Sequence, residues 1–94
     1  MAGMQGWSLQ VASDVIRDGL GVELLDARRM IRAEVFRCDA DHTVTVTHYE
    51  GGEPASPEIL DWYYAEAARR LDVFEDGSPL PERSGWRAVG QDQE

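Results

Sequence analysis

Four consecutive residues, Asp39-Ala40-Asp41-His42, bring two carboxylates and an imidazole into a single turn, directly after the chain's one cysteine, Cys38. Carboxylate oxygens and a neutral imidazole are ligands for divalent cations, so Asp39, Asp41 and His42 form the candidate metal set. The set is thin, because an EF-hand loop requires further oxygens and a glycine at fixed positions. A hairpin loop whose Asp side chains accept hydrogen bonds from nearby backbone N–H groups is the preferred account. Cys38 and His42 could be drawn as a nucleophile and its base. A catalytic thiol requires a stabilised thiolate and an oxyanion site, and two adjacent carboxylates oppose the thiolate, so Cys38 is read as a passive outer-face thiol. His48 follows on an alternating segment and reads as a hydrogen-bonded inner-face residue, neutral and with its pKa depressed by burial. Gly19-Leu20-Gly21 is only a fragment of a phosphate-binding motif and reads as a turn with strand entry. No catalytic residue and no cofactor is assigned.

The elements that must position these groups are clearer than the chemistry. Met30 to Cys38 alternates with Ile31, Ala33 and Val35 on one side and Arg32, Glu34 and Phe36 on the other; Thr43 to Tyr49 alternates Val44, Val46 and His48 with three Thr. Period-two patterning with β-branched residues predicts two strands. Pairing Cys38 with Thr43 sets Val35 against Val46 and Ala33 against His48. Leu20, Val22 and Leu24 form a preceding strand; pairing Leu25 with Met30 through the turn Asp26-Ala27-Arg28-Arg29 sets Leu24 against Ile31, Val22 against Ala33 and Glu23 against Arg32.

Residues 8–18 admit a strand (Trp7, Leu9, Val11, Ser13, Val15) joined by a two-residue Asp18-Gly19 turn, with Arg17 against Leu20 and Val15 against Val22. They also admit a helix capped by Ser8; the strand is favoured, because Asp-Gly is a specific hairpin signal. Pro57 to Leu71 is a helix, with Ser56 as N-cap, Pro57 at the first position, acids early and Arg69 and Arg70 late. Its predicted buried face is Leu60, Tyr63, Tyr64, Ala67 and Leu71, with Ile59 and Ala68 at the margins and Trp62 pointing away. The fold class expected is α+β: an antiparallel three- or four-stranded meander with one C-terminal helix on one face. Residues 1–76 form a single domain, and 77–94 are a Pro/Gly-containing acidic tail, docked through Leu80 and Trp86 or mobile.

Composition narrows the function classes. The chain has 94 residues and a formal charge of −9. The charge is lopsided: residues 1–49 carry −2 and residues 50–94 carry −7. Nucleic-acid affinity rests on neutralising phosphates with cations, so a nucleic-acid partner is disfavoured and a basic protein surface fits better. No apolar run reaches the roughly 18 residues of a membrane span. Met1 to Trp7 shows no secretory signal, which makes a cytoplasmic address the default. The outer sheet face offers Met30, Phe36 and Tyr49, and the outer helix side offers Trp62, as candidate contact residues. The leading expectation is a non-enzymatic acidic interaction module, either a homodimer or an inhibitor or adaptor of a basic protein surface. The alternative is a small-molecule or metal-binding domain, enzymatic or not, centred on the Asp39-Asp41-His42 turn.

Overall fold

The computed structural model describes residues 6–52 and 54–89. Strands β1 (Ser8–Asp14), β2 (Gly19–Leu25), β3 (Ile31–Cys38) and β4 (Thr43–His48) precede helix α1 (Pro57–Leu71). A 3-10 turn, Arg83–Gly85, then leads to β5 (Arg87–Ala88). The sheet runs in order β1-β2-β3-β4-β5, with the first four strands antiparallel and β5 parallel to β4. This is the expected α+β architecture in its four-stranded form, since residues 8–14 are a strand and not a helix. The short fifth strand is an addition that no alternation announces.

The β3-β4 pairing matches the sequence reading, with Cys38 against Thr43, Val35 against Val46 and Ala33 against His48. The other two registers are corrected. Across β1-β2, Val11 and not Val15 faces Val22, and Asp14 faces Gly19. The loop is four residues, Val15 to Asp18, because Asp14 Oδ1 accepts from the N–H groups of Ile16 and Arg17, both at 3.0 Å, while Asp18 takes a left-handed φ of 58°. Those Asx hydrogen bonds and one left-handed residue complete a longer loop and override the two-residue turn. Val15 and Ile16 are therefore left 94% and 95% exposed at its tip.

Across β2-β3, Val22 faces Val35, Leu24 faces Ala33 and Glu23 faces Glu34, and the register breaks at Leu24/Leu25. The cause is the buried Asp26, whose Oδ1 accepts from Arg28 N (2.9 Å) and Met30 N (3.0 Å), with Arg29 left-handed at φ 69°. Leu25 now pairs with Ile31, and Ile31 leaves the inner row for partial exposure. Both corrections are even-numbered slips over most of each strand, so the inner row survives them.

The core is that inner row, Val22, Leu24, Ala33, Val35 and Val44, roofed by Ile59, Tyr63, Ala67 and Leu71 of α1 and closed by Phe74. Each large side chain so buried contributes roughly 1.5 to 3 kcal/mol before chain entropy is subtracted. The buried helical stripe is rotated from the expected one: Ile59 joins Tyr63, Ala67 and Leu71 in it, while Leu60 and Tyr64 are half-buried and Ala68 is exposed. Tyr63 sets that rotation, since its hydroxyl reaches into the sheet and donates to the Val22 carbonyl at 2.6 Å. Ser56 caps the helix as expected, its Oγ accepting from Ile59 N. At the other end, the Arg37 guanidinium on β3 donates to the Leu71 and Val73 carbonyls at 2.8 and 2.7 Å, pinning the negative helix terminus to the sheet. Leu80 and Trp86 dock against the core, and Trp86 Nε1 donates to Pro81 O. The last part of the expected tail, residues 90–94, lies outside the described residues. Among the described residues, no helix is long and apolar enough to cross a membrane.

Candidate functional site

The loop β1-β2, the loop β3-β4 and the segment after α1 meet at one end of the sheet. Asp39 N donates to Asp18 O, Glu75 N donates to Asp39 Oδ1, and His42 Nε2 lies 2.9 Å from Asp76 Oδ2. Asp14, Asp18, Asp39, Asp41, Glu75 and Asp76 are thus brought to this end from three segments far apart in sequence. The cations within this pole are already engaged. Arg17 is held by Asp14 and Glu34, and Arg37 by Asp39. Arg87 stands at the margin, where its field helps to keep Asp41 ionised.

Local hydrogen bonds hold the pole's charge into acid. The Arg17 backbone N–H and guanidinium lower the pKa of Asp14, the Thr43 hydroxyl lowers that of Asp41, and the Ser78 hydroxyl and N–H, with His42, lower that of Asp76 well below the usual carboxylate range.

The predicted metal set does not converge. Asp39 turns to Arg37 and Glu75 N, Asp41 accepts from Thr43 Oγ1 at 2.6 Å, and His42 pairs with Asp76 and stands edge-on to the Phe74 ring at 4.7 Å. The Cys38 thiol donates to the Arg17 carbonyl at 3.5 Å, so thiol and imidazole have separate partners. The carboxylates that do approach one another are Asp18, Asp39 and Glu75, with one oxygen from each within 4.8 Å. They border a hollow of about 220 Å³ also lined by Asp14, Leu20 and Arg37. Sequence reading found Asp39 but missed Asp18 and Glu75, because only the loop pairing brings them to it.

The candidate contact residues divide. Met30 and Tyr49 are exposed. Trp62 does not point away but is half-buried against the core. Phe36, expected in the open, is 3% exposed. Its ring lies over Gly19 and Gly21, and the Arg17 guanidinium lies 4.0 Å above the ring. Glu34 clamps that guanidinium through both nitrogens at 3.0 and 2.8 Å. This cross-strand stack also relieves the like-charge pairing of Glu23 with Glu34, with Gln10 donating to Glu23.

A second hollow, about 420 Å³, lies between the end of α1 and the tail, lined by Tyr64, Leu80, Arg83 and Trp86. Beside it His48 Nε2 lies 2.7 Å from the Tyr64 hydroxyl. His48 is more exposed than the inner-face reading expected, yet partial desolvation still lowers its pKa and raises that of Tyr64, so the phenol donates and the neutral imidazole accepts. A His pKa depressed in the folded state contributes stability that is complete above the unfolded value and lost as pH falls through the folded one. Thermal unfolding is therefore expected to fall as pH drops from about 7 to about 5, above the range in which the carboxylates titrate, and His48→Gln is expected to flatten that slope. An unchanged slope in the variant would reject this role.

Comparison with known proteins returns no match: no family model, no curated protein and no solved structure is similar to the chain.

Proposed function

We propose that this protein is a non-catalytic interaction module whose acidic pole docks on a basic protein surface. The observation that carries the reading is the convergence of carboxylates from three loops onto one end of the sheet, with the cations among them already paired internally. Such a pole steers a basic partner and leaves affinity dependent on salt. The test is capture of partners from a cell extract at low and high salt by the wild type and by a variant carrying Asp18→Asn, Asp41→Asn, Glu75→Gln and Asp76→Asn. A purified basic partner is expected to bind the wild type at low salt, release at high salt and ignore the variant. Equal binding by the variant would remove the pole from the interaction.

The alternative, a cation-binding domain, moves with the geometry from the Asp39-Asp41-His42 turn to Asp18, Asp39 and Glu75. One substitution separates the two readings. Asp18→Asn removes a charge from three clustered carboxylates and places Asn, a residue tolerant of left-handed backbone, at φ 58°. It is expected to stabilise the fold by up to about 1 kcal/mol in urea unfolding, with or without calcium. Calcium raising the melting temperature of the wild type alone would favour the cation reading.

A further inference from the structure

The two edges of the sheet are finished differently. β4 is covered by β5, which the tail lays alongside it at Thr45 and Val46. Among the described residues, β1 has no strand on its outer side. Natural edge strands are blunted by charge, proline or a bulge. β1 has none of these from Ser8 to Ser13, and it pairs with β2 in unbroken register. Val11, on the helix side of β1, is 46% exposed beside the core.

We propose that the outer edge of β1 pairs antiparallel with β1 of a second copy, joining two five-stranded sheets into one. This rests on the reading of the chain as an interaction module and names its partner as the chain itself. Charge selects a second copy and also the direction of pairing. One end of β1 runs into the acidic pole at Asp14 and Asp18. The other end begins at Gly6, which lies against Ala27 of the loop bearing exposed Arg28 and Arg29. An antiparallel two-fold pairing therefore sets the acidic pole of each copy beside the arginine loop of the other, twice over, whereas a parallel arrangement would set like against like. With Ser8 opposite Asp14 of the second copy, Val11 meets its own equivalent on the two-fold axis, and the uncharged Gln10 and Ala12 face one another on the outer side.

The test is sedimentation equilibrium of the wild type and of Val11→Lys, a change at a half-exposed position that the fold accommodates. The wild type is expected at twice the 10.5 kDa chain mass. The variant is expected at the chain mass, its dissociation constant raised at least about tenfold at low salt. A second measurement does not depend on that substitution. In a Cys38→Ser background, Val11→Cys should oxidise rapidly to a covalent dimer, because residues opposite one another across antiparallel strands have Cα atoms about 4.5 to 5.5 Å apart, within disulfide reach. Val15→Cys should not, although it is more exposed, because the same register separates the two copies of residue 15 by roughly 26 Å at about 3.3 Å per residue. A wild type that stays monomeric at about 100 μM would overturn the proposal. So would a dimer indifferent to Val11→Lys, or one that cross-links at 15 in preference to 11. Salt-sensitive capture of a different basic protein by a monomer would leave the acidic-pole reading standing while the self-pairing fell.

Discussion

Gly19→Ala is expected to cost about 3 kcal/mol or more, at or beyond the upper end of ordinary overpacking, and to leave little folded protein near physiological temperature. A Cβ built on Gly19 would sit 2.0 Å from the Arg37 carbonyl oxygen and under 3 Å from two atoms of the Phe36 ring. The carbonyl belongs to the neighbouring strand and cannot withdraw without opening the sheet. Gly21→Ala provides the control: its Cβ would approach the Glu34 carboxylate at 2.8 Å and Phe36 at 3.3 Å, both side-chain atoms and not backbone. It should cost about 1 to 2 kcal/mol. Urea midpoints for the two variants would decide the matter, and equal midpoints would show that Phe36 and not the backbone sets the limit.

Tyr63→Ala is expected to remove about 3 to 5 kcal/mol, because this side chain is fully buried, among the largest in the core, and leaves a cavity between helix and sheet. Tyr63→Phe isolates the hydroxyl. Its loss takes away the 2.6 Å hydrogen bond to Val22 O and should cost about 1 to 1.5 kcal/mol. Burial raises the pKa of this phenol far above its ordinary value, so the bond persists through alkaline conditions that would ionise an exposed tyrosine. A Tyr63→Phe variant as stable as the wild type would mean that the helix rotation is set by shape alone.

What the sequence made legible was the side each residue faces. Leu9, Val11, Val22, Leu24, Ala33, Val35, Val44 and Val46 recur at every second position of their strands, and alternation encodes a face. It does not encode how far one strand slides along the next. That distance was decided by Asp14 and Asp26, whose carboxylates collect backbone N–H groups and lengthen their loops, an effect with no periodic signature. Phe36 was misplaced for a related reason. Its shelter consists of two glycines on one strand and an arginine in a loop, assembled only by the β1-β2 and β2-β3 pairings. The acidic pole was half visible as a lopsided charge distribution, but Asp14, Asp18, Asp39 and Asp41 lie in the nearly neutral half of the sequence and joined Glu75 and Asp76 through topology. The chain's helix caps, by contrast, are local, and Ser56 and Pro57 could be read directly.

β5 is only two residues long, yet it sets the arithmetic of assembly. A slab with one reactive border can join one neighbour and is then finished, whereas a slab with two keeps growing into a ribbon without limit. By lying along Thr45 and Val46, Arg87 and Ala88 leave that border only a two-residue outer strand, so the proposed self-pairing through β1 would stop at a pair.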